Sequence, residues 1–146
     1  MSLNTLFSPK SIAIVGVSMN ANKLGSVILT NLISAGYEGS IYPINPKYGE
    51  IYNLKCYKNI SEIEGEIDLV CIVIPKESVK GVLEECGVKG VKSAVIITSG
   101  FSEKDSSGKE MENELLEIVK KYGIRILGPN CLGEIVTKSK INLSFA

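Results

Sequence analysis

The sequence contains no histidine and no tryptophan among its 146 residues, and its sixteen basic side chains are balanced by sixteen acidic ones. Without histidine, the chain by itself has no Ser-His-Asp or Cys-His nucleophile, no imidazole metal ligand and no phosphohistidine. With zero net charge and no Lys/Arg-rich run, it also has no long-range field to attract a nucleic-acid backbone. We therefore expect no catalytic residue and no nucleic-acid partner, and any anion site must be local.

The four cysteines include no C-x-x-C pair, so in the absence of histidine no metal site is expected either. Cys71 lies inside an apolar run, where a free thiol behaves as a small buried hydrophobe. No apolar run approaches the roughly 20 residues of a membrane-spanning helix, and the N-terminus does not resemble a signal peptide. These features predict a cytoplasmic protein with reduced cysteines and no membrane partner.

The length corresponds to one domain, residues 1–146, at roughly 150 residues per domain. Short apolar runs alternate with helix-period segments along the chain, which is typical of βαβ units. The pattern predicts an α/β, Rossmann-like three-layer fold: a mostly parallel sheet of at least five strands with helices on both faces. The predicted strands are residues 11–15, 41–44, 68–74, 93–98 and 125–127, and the predicted helices are residues 23–35, 77–86 and 107–122.

Several finer expectations accompany this pattern. Pro43 indicates that the second strand is near an edge of the sheet or is ending, because proline cannot donate to a strand ladder. Gly87 is predicted to end the second helix. Residues 46–66 should hold a short extended piece and a turn of helix. Residues 132–146 show only fragments of strand, so the natural protein is expected to continue.

Ligands of open α/β sheets bind beyond the carboxyl ends of the strands, so the five strand tips are the places to look for a site. The first tip is a long loop that enters a helix N-terminus, where free N–H groups attract phosphate. Its spacing does not fit G-x-G-x-x-G and it lacks the G-K-S/T of a P-loop. An ordinary loop is the alternative, but a lysine at the helix entrance favours anion binding. The candidate residues are Gly16, Ser18, Lys23 and Gly25.

The second tip discriminates between nucleotides. NAD-binding domains place Asp or Glu after the second strand to accept from the ribose hydroxyls, whereas this chain has Asn45 and Lys47. A lysine there favours a nucleotide with an extra phosphate, which is either the 2′-phosphate of NADP or the 3′-phosphate of coenzyme A. The alternative is a solvated loop lysine, the commonest fate of that residue type.

The other three tips carry small or polar residues. The third could provide an apolar shelf for adenine, or it could be only the end of a strand and the start of a helix. The fourth offers hydroxyl and N–H groups to a phosphate or a pantetheine amide, although a plain turn explains it equally well. At the fifth tip a cysteine has no base beside it, so a packing or binding role is expected for it and not a nucleophilic one. The candidates at these tips are Ile74, Pro75, Thr98, Ser99, Gly100, Asn130 and Cys131.

Taken together, these segments resemble the N-terminal CoA-binding domain of the NDP-forming acyl-CoA synthetases, which include the ADP-forming acetate-CoA ligases and the succinyl-CoA synthetase α subunit. The resemblance covers nearly the whole chain in order, and the longer first loop is closer to the acetate-CoA ligase branch. The segments that carry it are LFSPKSIA at 6–13, GVS at 16–18, KLG at 23–25, NL at 31–32, GY at 36–37, IYPINPK at 41–47, EECG at 84–87, SGF at 99–101, GPNCLG at 128–133 and NLSFA at 142–146.

The resemblance implies that the chain binds coenzyme A and works with the remaining ligase domains or an ATP-grasp β subunit. In this family an acyl phosphate forms through a phosphorylated histidine of a later domain, and the CoA thiol then takes the acyl group. By resemblance, the first loop holds phosphate (Gly16, Ser18), the second tip the 3′-phosphate (Lys47), the third the adenine (Ile74, Pro75), the fourth the pantetheine (Thr98, Ser99, Gly100) and the fifth the thiol end (Asn130, Cys131).

Three other interpretations remain open at this point. The chain could be a complete small CoA-binding protein with a regulatory or storage role. It could be an NADP-binding or redox-sensing Rossmann domain, which the missing G-x-G-x-x-G disfavours. It could also be the same module fused to an acetyltransferase.

Overall fold

A five-stranded sheet forms the centre of the computed structural model, which describes residues 3–146. All four strand pairings in this sheet are parallel. Two short 3₁₀ turns occur at Ile60–Glu62 and Thr137–Ser139. The elements in chain order are α1 (Asn4–Phe7), β1 (Ser11–Val15), α2 (Leu24–Ser34), β2 (Ser40–Ile44), β3 (Glu50–Ile51), β4 (Leu54–Lys55), β5 (Leu69–Ile72), α3 (Lys76–Lys89), β6 (Ser93–Ile96), α4 (Ser106–Tyr122), β7 (Arg125–Leu127), β8 (Gly133–Val136) and β9 (Ile141–Ser144).

The strand order is β2-β1-β5-β6-β7. β2 pairs with one edge of β1, and β5, β6 and β7 are then added in turn at its other edge. The order therefore reverses between β1 and β5, and the loops that follow these two strands separate there to leave a crevice. The predicted α/β class and parallel sheet are confirmed. Pro43 lies in β2, an edge strand of the sheet, as its missing N–H requires.

Two apolar layers cover the sheet, because side chains alternate between its faces along each buried strand. On one face α3 and α4 pack against Ala13 and Val15 of β1. On the other face, Ile12 and Ile14 contact a layer built from α2 and the β8–β9 hairpin. The three-layer arrangement is confirmed, and an antiparallel hairpin completes one of its layers.

The hairpin of β8 and β9 is the main element that the sequence pattern did not predict. Ile141 and Leu143 are buried against α2, whereas Ile135 on β8 is exposed. The connection between the strands has no Asn-Gly or Gly-Gly signal; Lys140 adopts the left-handed backbone that usually marks such a turn. Residues 46–66 contain a second small hairpin, β3–β4, followed by a 3₁₀ turn, in line with the expected extended piece and helical turn.

The prediction that α3 ends at Gly87 is wrong. The helix continues to Lys89 and is closed by Gly90, whose φ of 86° is left-handed. Gly87 has an ordinary helical backbone, and its lack of a side chain lets the Tyr122 ring of α4 approach the helix directly. The Tyr122 hydroxyl then donates to Glu84 of α3 at 2.6 Å. Glycine at this position therefore serves the packing of α3 on α4.

Two glycines of α3 give a matched test of this packing. A Cβ at Gly87 would overlap the Tyr122 ring, so Gly87→Ala should lower the free energy of unfolding by about 1–3 kcal/mol, although alanine is the better helix former. Gly81 has no neighbouring atom within 4 Å of such a Cβ, so Gly81→Ala should raise it by about 0.5–1 kcal/mol. Guanidinium unfolding followed by circular dichroism would measure both. Stabilisation by Gly87→Ala would contradict this account.

Candidate functional site

A cavity of about 880 Å³ lies where the carboxyl ends of all five strands of the sheet, β1, β2, β5, β6 and β7, meet. Twelve of the thirteen residues predicted as ligand-binding line it, although they come from five separate loops. Because parallel strands place all their carboxyl ends at one edge of the sheet, the topology brings these loops together. The twelve are Gly16, Ser18, Lys23, Gly25, Asn45, Lys47, Ile74, Pro75, Thr98, Ser99, Asn130 and Cys131.

The floor of the cavity is a close backbone approach between the first loop and α2. A Cβ on Gly25, in the first turn of α2, would overlap the carbonyl oxygen of Gly16. A Cβ on Gly16 would in turn overlap the carbonyl oxygen of Val73, and the φ of Gly16 is 105°. Only glycine fits both positions, so α2 begins directly above the end of β1 and directs its N-terminal N–H groups towards the cavity.

Asn45 joins the first two loops to each other. Its Nδ2 donates to the carbonyl of Val17 at 2.7 Å, and its Oδ1 accepts from the N–H of Lys47 at 2.9 Å. Both ends of the amide are thus used within the protein. We interpret Asn45 as the group that positions the first loop relative to Lys47.

Thr98 performs a similar task between β5 and β6. Its hydroxyl donates to the carbonyl of Ile74 at 2.7 Å and accepts from the N–H of Ile74 at 3.3 Å. This contact replaces the strand ladder beyond Ile72, which explains why β5 ends two residues earlier than predicted. Ser99 is exposed at the cavity edge, and its hydroxyl forms no hydrogen bond with another group among residues 3–146.

Positive charge is concentrated around the cavity. Lys23 precedes α2, Lys47 follows β2 and Lys76 is the first residue of α3, and all three line the cavity. No aspartate or glutamate of the described residues, 3–146, is part of its lining. The site is therefore suited to a ligand with several negative charges.

The opposite end of the cavity is largely apolar. Ile97, Cys131, Leu132 and Phe145 line it. The Cys131 thiol donates to the carbonyl of Ile96 at 3.4 Å, and burial is the main cause of its raised pKa. A raised pKa disfavours the thiolate, which agrees with a packing or binding role for Cys131 and not with a nucleophilic one.

Gly100 is the one predicted ligand residue that does not line the cavity. Its N–H donates to the carboxylate of Glu103, and the N–H of Phe101 donates to the same group at 3.1 Å. The hydrogen bond from Gly100 is the leading cause of the lowered pKa of Glu103, and the backbone of Glu103 itself, the hydrogen bond from Phe101 and the Lys76 charge also lower it. The loop after β6 is thus held by hydrogen bonds from its backbone to the Glu103 carboxylate, which belongs to the same loop.

Seven lining residues were not among the predicted ligand residues. Four of them are sequence neighbours of predicted ones: Val17, Leu24, Val73 and Ile97. The other three are Lys76, Leu132 and Phe145. Lys76 directly follows the predicted Pro75, so its position at the third tip was the available signal. Leu132 and Phe145 belong to the ends of the β8–β9 hairpin and reach the cavity through the fold of that hairpin. No local pattern indicates their position.

Glu134 of β8 is buried next to the apolar end of the cavity, with only 8% of its surface exposed. It lies opposite Leu143 in the hairpin, and both carboxylate oxygens lack a hydrogen-bond partner within residues 3–146. Desolvation raises its pKa to about 7. Its charge also contributes to the raised pKa of Cys131 and of Cys71, both of which lie nearby.

Two negative findings concern the described residues, 3–146. No group of three or more His, Cys, Asp or Glu side chains is arranged to hold a metal ion. No helix in this part of the chain has the length and apolar character needed to cross a membrane.

Comparison with known proteins gives matches over nearly the whole chain. The family described as CoA binding domain matches residues 10–137. The α subunit of ADP-forming acetate-CoA ligase I from Pyrococcus furiosus is 50% identical over 99% of this chain, which spans 32% of that relative. The ADP-forming acetate-CoA ligase of Methanocaldococcus jannaschii is 54% identical over 94% of this chain, with 19% of the relative covered.

A solved structure agrees with the sequence matches. The dinucleotide-forming acetyl-coenzyme A synthetase 1 of Ca. Korarchaeum cryptofilum, solved with phosphate and ADP, superposes with a TM-score of 0.95 at 44% identity. The match covers 99% of this chain and 31% of that one. This chain therefore spans about a third or less of the proteins named here.

The raised pKa of Glu134 predicts a pH-dependent stability. An acid whose folded pKa of about 7 exceeds its ordinary value of 4.5 stabilises the fold most below pH 4.5, and that contribution is lost as the pH rises towards and through 7. The loss should be about 2–3 kcal/mol. Glu134→Gln cannot ionise, so the wild-type protein should lose stability relative to this variant between pH 5 and pH 8 in guanidinium unfolding.

The exposed Glu110 provides the control for this measurement. Glu110→Gln should follow the wild-type pH dependence because its carboxylate is already solvated. If wild type and Glu134→Gln showed the same change between pH 5 and pH 8, Glu134 would be ionised throughout and its burial would not control its titration.

Proposed function

Because the chain belongs to the family of CoA binding domains, we propose that it binds coenzyme A in the cavity formed by the first, second, third, fourth and fifth strand tips. The observation that carries the proposal is the convergence of three lysines, with no carboxylate among the lining residues of the described chain. Coenzyme A carries a diphosphate and a 3′-phosphate, and its pantetheine arm is uncharged. A cavity with a cationic side and an apolar end matches this division of charge.

The orientation of coenzyme A follows from the same division. The diphosphate is assigned to the loop from Gly16 to Lys23, where helix N–H groups and a lysine are available. The 3′-phosphate is assigned to Lys47, and the pantetheine arm to the passage between Ser99 and Cys131. Asn45 and Thr98 act indirectly, since their polar atoms already bind the loops that carry these groups.

At the level of the whole enzyme, we propose that the chain is the CoA-binding part of an ADP-forming acyl-CoA ligase of the acetate-CoA ligase type. The curated relatives are named for that activity, and this chain spans only part of each of them. In the proposed reaction the CoA thiol attacks the carbonyl of an acyl phosphate, a thioester forms and phosphate leaves. The sequence has no histidine, so another domain or an ATP-grasp β subunit would supply the phosphate carrier.

The protein is proposed to act in the cytoplasm, where its four cysteines, all free in the structure, would stay reduced. A stand-alone CoA-binding or NADP-binding regulator has less support, because the most similar relatives named above are ligases.

Calorimetric titration with coenzyme A and dephospho-CoA tests the assignment of Lys47. A charge-assisted phosphate contact contributes about 1.5–3 kcal/mol, so the wild-type chain should bind coenzyme A roughly 10- to 100-fold more tightly. Lys47→Met should bind both ligands with similar affinity. The control is Lys120→Met, at an exposed lysine of α4 outside the cavity, which should keep the wild-type preference.

Equal wild-type affinity for the two ligands would remove the role given to Lys47. Tighter binding of NADP than of coenzyme A would overturn the ligand assignment itself.

A further inference from the structure

Among residues 3–146, the buried side-chain oxygen or nitrogen atoms without a hydrogen-bond partner are the two carboxylate oxygens of Glu134. Buried polar groups are normally paired, and an ionised carboxylate that is buried without a partner is especially costly. The assignments made above for the diphosphate, the 3′-phosphate and the pantetheine arm do not use this group. Its surroundings favour the neutral, protonated form of the carboxyl group.

Glu134 lies one step along the β8–β9 hairpin from the apolar end of the cavity. Leu132 precedes it by two residues, and Leu143, opposite it on β9, precedes Phe145 by two. The N–H of Phe145 donates to the carbonyl of Leu132 at 3.4 Å, and both of these residues line the cavity. The hairpin thus connects the carboxyl group of Glu134 to the wall of the cavity.

The titratable groups that face Glu134 are two cysteine thiols. Cys131 comes from the fifth loop and Cys71 from β5, and the charge of Glu134 contributes to the raised pKa of each thiol. Cys131 also lines the cavity, so it lies between the carboxyl group and the space that a ligand would occupy. An ionised Glu134 is therefore felt at the apolar end of the cavity.

The basic residues of the neighbouring elements lie away from this end. Within the described chain, α2, β6 and β9, which pack with the hairpin, carry no acidic or basic residue. Lys138 and Lys140 belong to the connection at the other end of the hairpin, and Arg125 begins β7 at the amino end of the sheet. Desolvation raises the pKa of Glu134 to about 7, and these cations do not offset it.

An uncharged ligand group at the apolar end changes the surroundings of Glu134. Solvent in an open cavity stabilises a nearby carboxylate through its high dielectric constant, even across an intervening side chain. The pantetheine arm, assigned above to the passage between Ser99 and Cys131, would displace this solvent. The ionised form of Glu134 then becomes less favourable still, whereas the neutral form is little affected.

Building on the proposed binding of coenzyme A, we propose that Glu134 couples occupation of the apolar end of the cavity to the uptake of a proton. The pantetheine arm binds while the carboxyl group is neutral, and ionisation of that group weakens binding of the arm. The phosphate end of the ligand, held at the lysines, does not take part in this coupling.

The coupling makes the affinity for coenzyme A fall as the pH rises. At pH 6 Glu134 is mostly neutral in the free protein, so binding requires little proton uptake. Above about pH 7 the free protein has lost this proton and must regain it when the arm binds. A rise of about one unit in the pKa of Glu134 on binding corresponds to a roughly five- to tenfold loss of affinity between pH 6 and pH 8.5.

Calorimetric titration with coenzyme A in buffers of different ionisation enthalpy measures the proton uptake directly. At pH 7.5 the wild-type chain should take up about half a proton more than Glu134→Gln, which cannot ionise at this position. Comparison with this variant cancels the titration of the ligand's own phosphates. The exposed Glu110 again supplies the control, and Glu110→Gln should behave as the wild type does.

A second ligand separates the two ends of the site. Adenosine 3′-phosphate 5′-diphosphate has the adenosine and phosphates of coenzyme A but lacks the pantetheine arm. With this ligand the wild-type chain and Glu134→Gln should show the same proton uptake and the same pH dependence of affinity. In the wild-type chain, ¹³C NMR of the glutamate carboxyl groups should show the Glu134 midpoint rising by about one unit when coenzyme A is added, and this measurement requires no substitution.

Binding of coenzyme A with equal proton uptake by the wild type and Glu134→Gln, or an unchanged Glu134 midpoint, would overturn the coupling and leave the proposed function intact. An equally large difference with the ligand that lacks pantetheine would also overturn it, because Glu134 would then act on the whole site. Absence of saturable binding of coenzyme A would overturn both proposals.

Discussion

The structure of the site depends on the backbone contact between the first loop, the start of α2 and the end of β5. Gly16 lies against the carbonyl of Val73, and Gly25 lies against the carbonyl of Gly16. A side chain at Gly25 would move α2 away from the tip of β1, and a side chain at Gly16 would move the first loop away from the end of β5. The crevice at the reversal of strand order and the direction of the helix N-terminus both follow from this contact.

The polar residues of the site divide into those that brace the loops and those that remain available to a ligand. Asn45 and Thr98 use their hydrogen-bonding groups on neighbouring backbone: Asn45 joins the first loop to the second, and Thr98 joins the third loop to the fourth. The lysines at the cavity have no acidic partner in its lining within residues 3–146. Loops that are braced in this way and carry lysines suit an anionic ligand, because little ordering is required when such a ligand binds.

Much of the sheet and of the site could be predicted from the sequence, because buried parallel strands are continuous apolar runs and their tips converge by topology. The predicted bounds of β1 match those of the structure. β5 is shorter than its apolar run because the backbone N–H of Ile74 donates to the Thr98 hydroxyl instead of to a neighbouring strand. The β8–β9 hairpin escaped prediction because its turn uses a left-handed lysine instead of glycine. The burial of Glu134 could not be predicted either, because it arises from the way that hairpin packs in the folded chain.

The three lysines at the cavity also shape the electrostatic field of the whole molecule. The chain is neutral, with sixteen basic and sixteen acidic side chains, so setting aside three lysines leaves thirteen basic against sixteen acidic ones elsewhere. The remaining surface is thus net negative and the cavity mouth is positive, which gives the molecule an electric dipole. An anionic ligand is therefore attracted at one opening, and because the whole chain is neutral this attraction is local and weakens as the ionic strength rises.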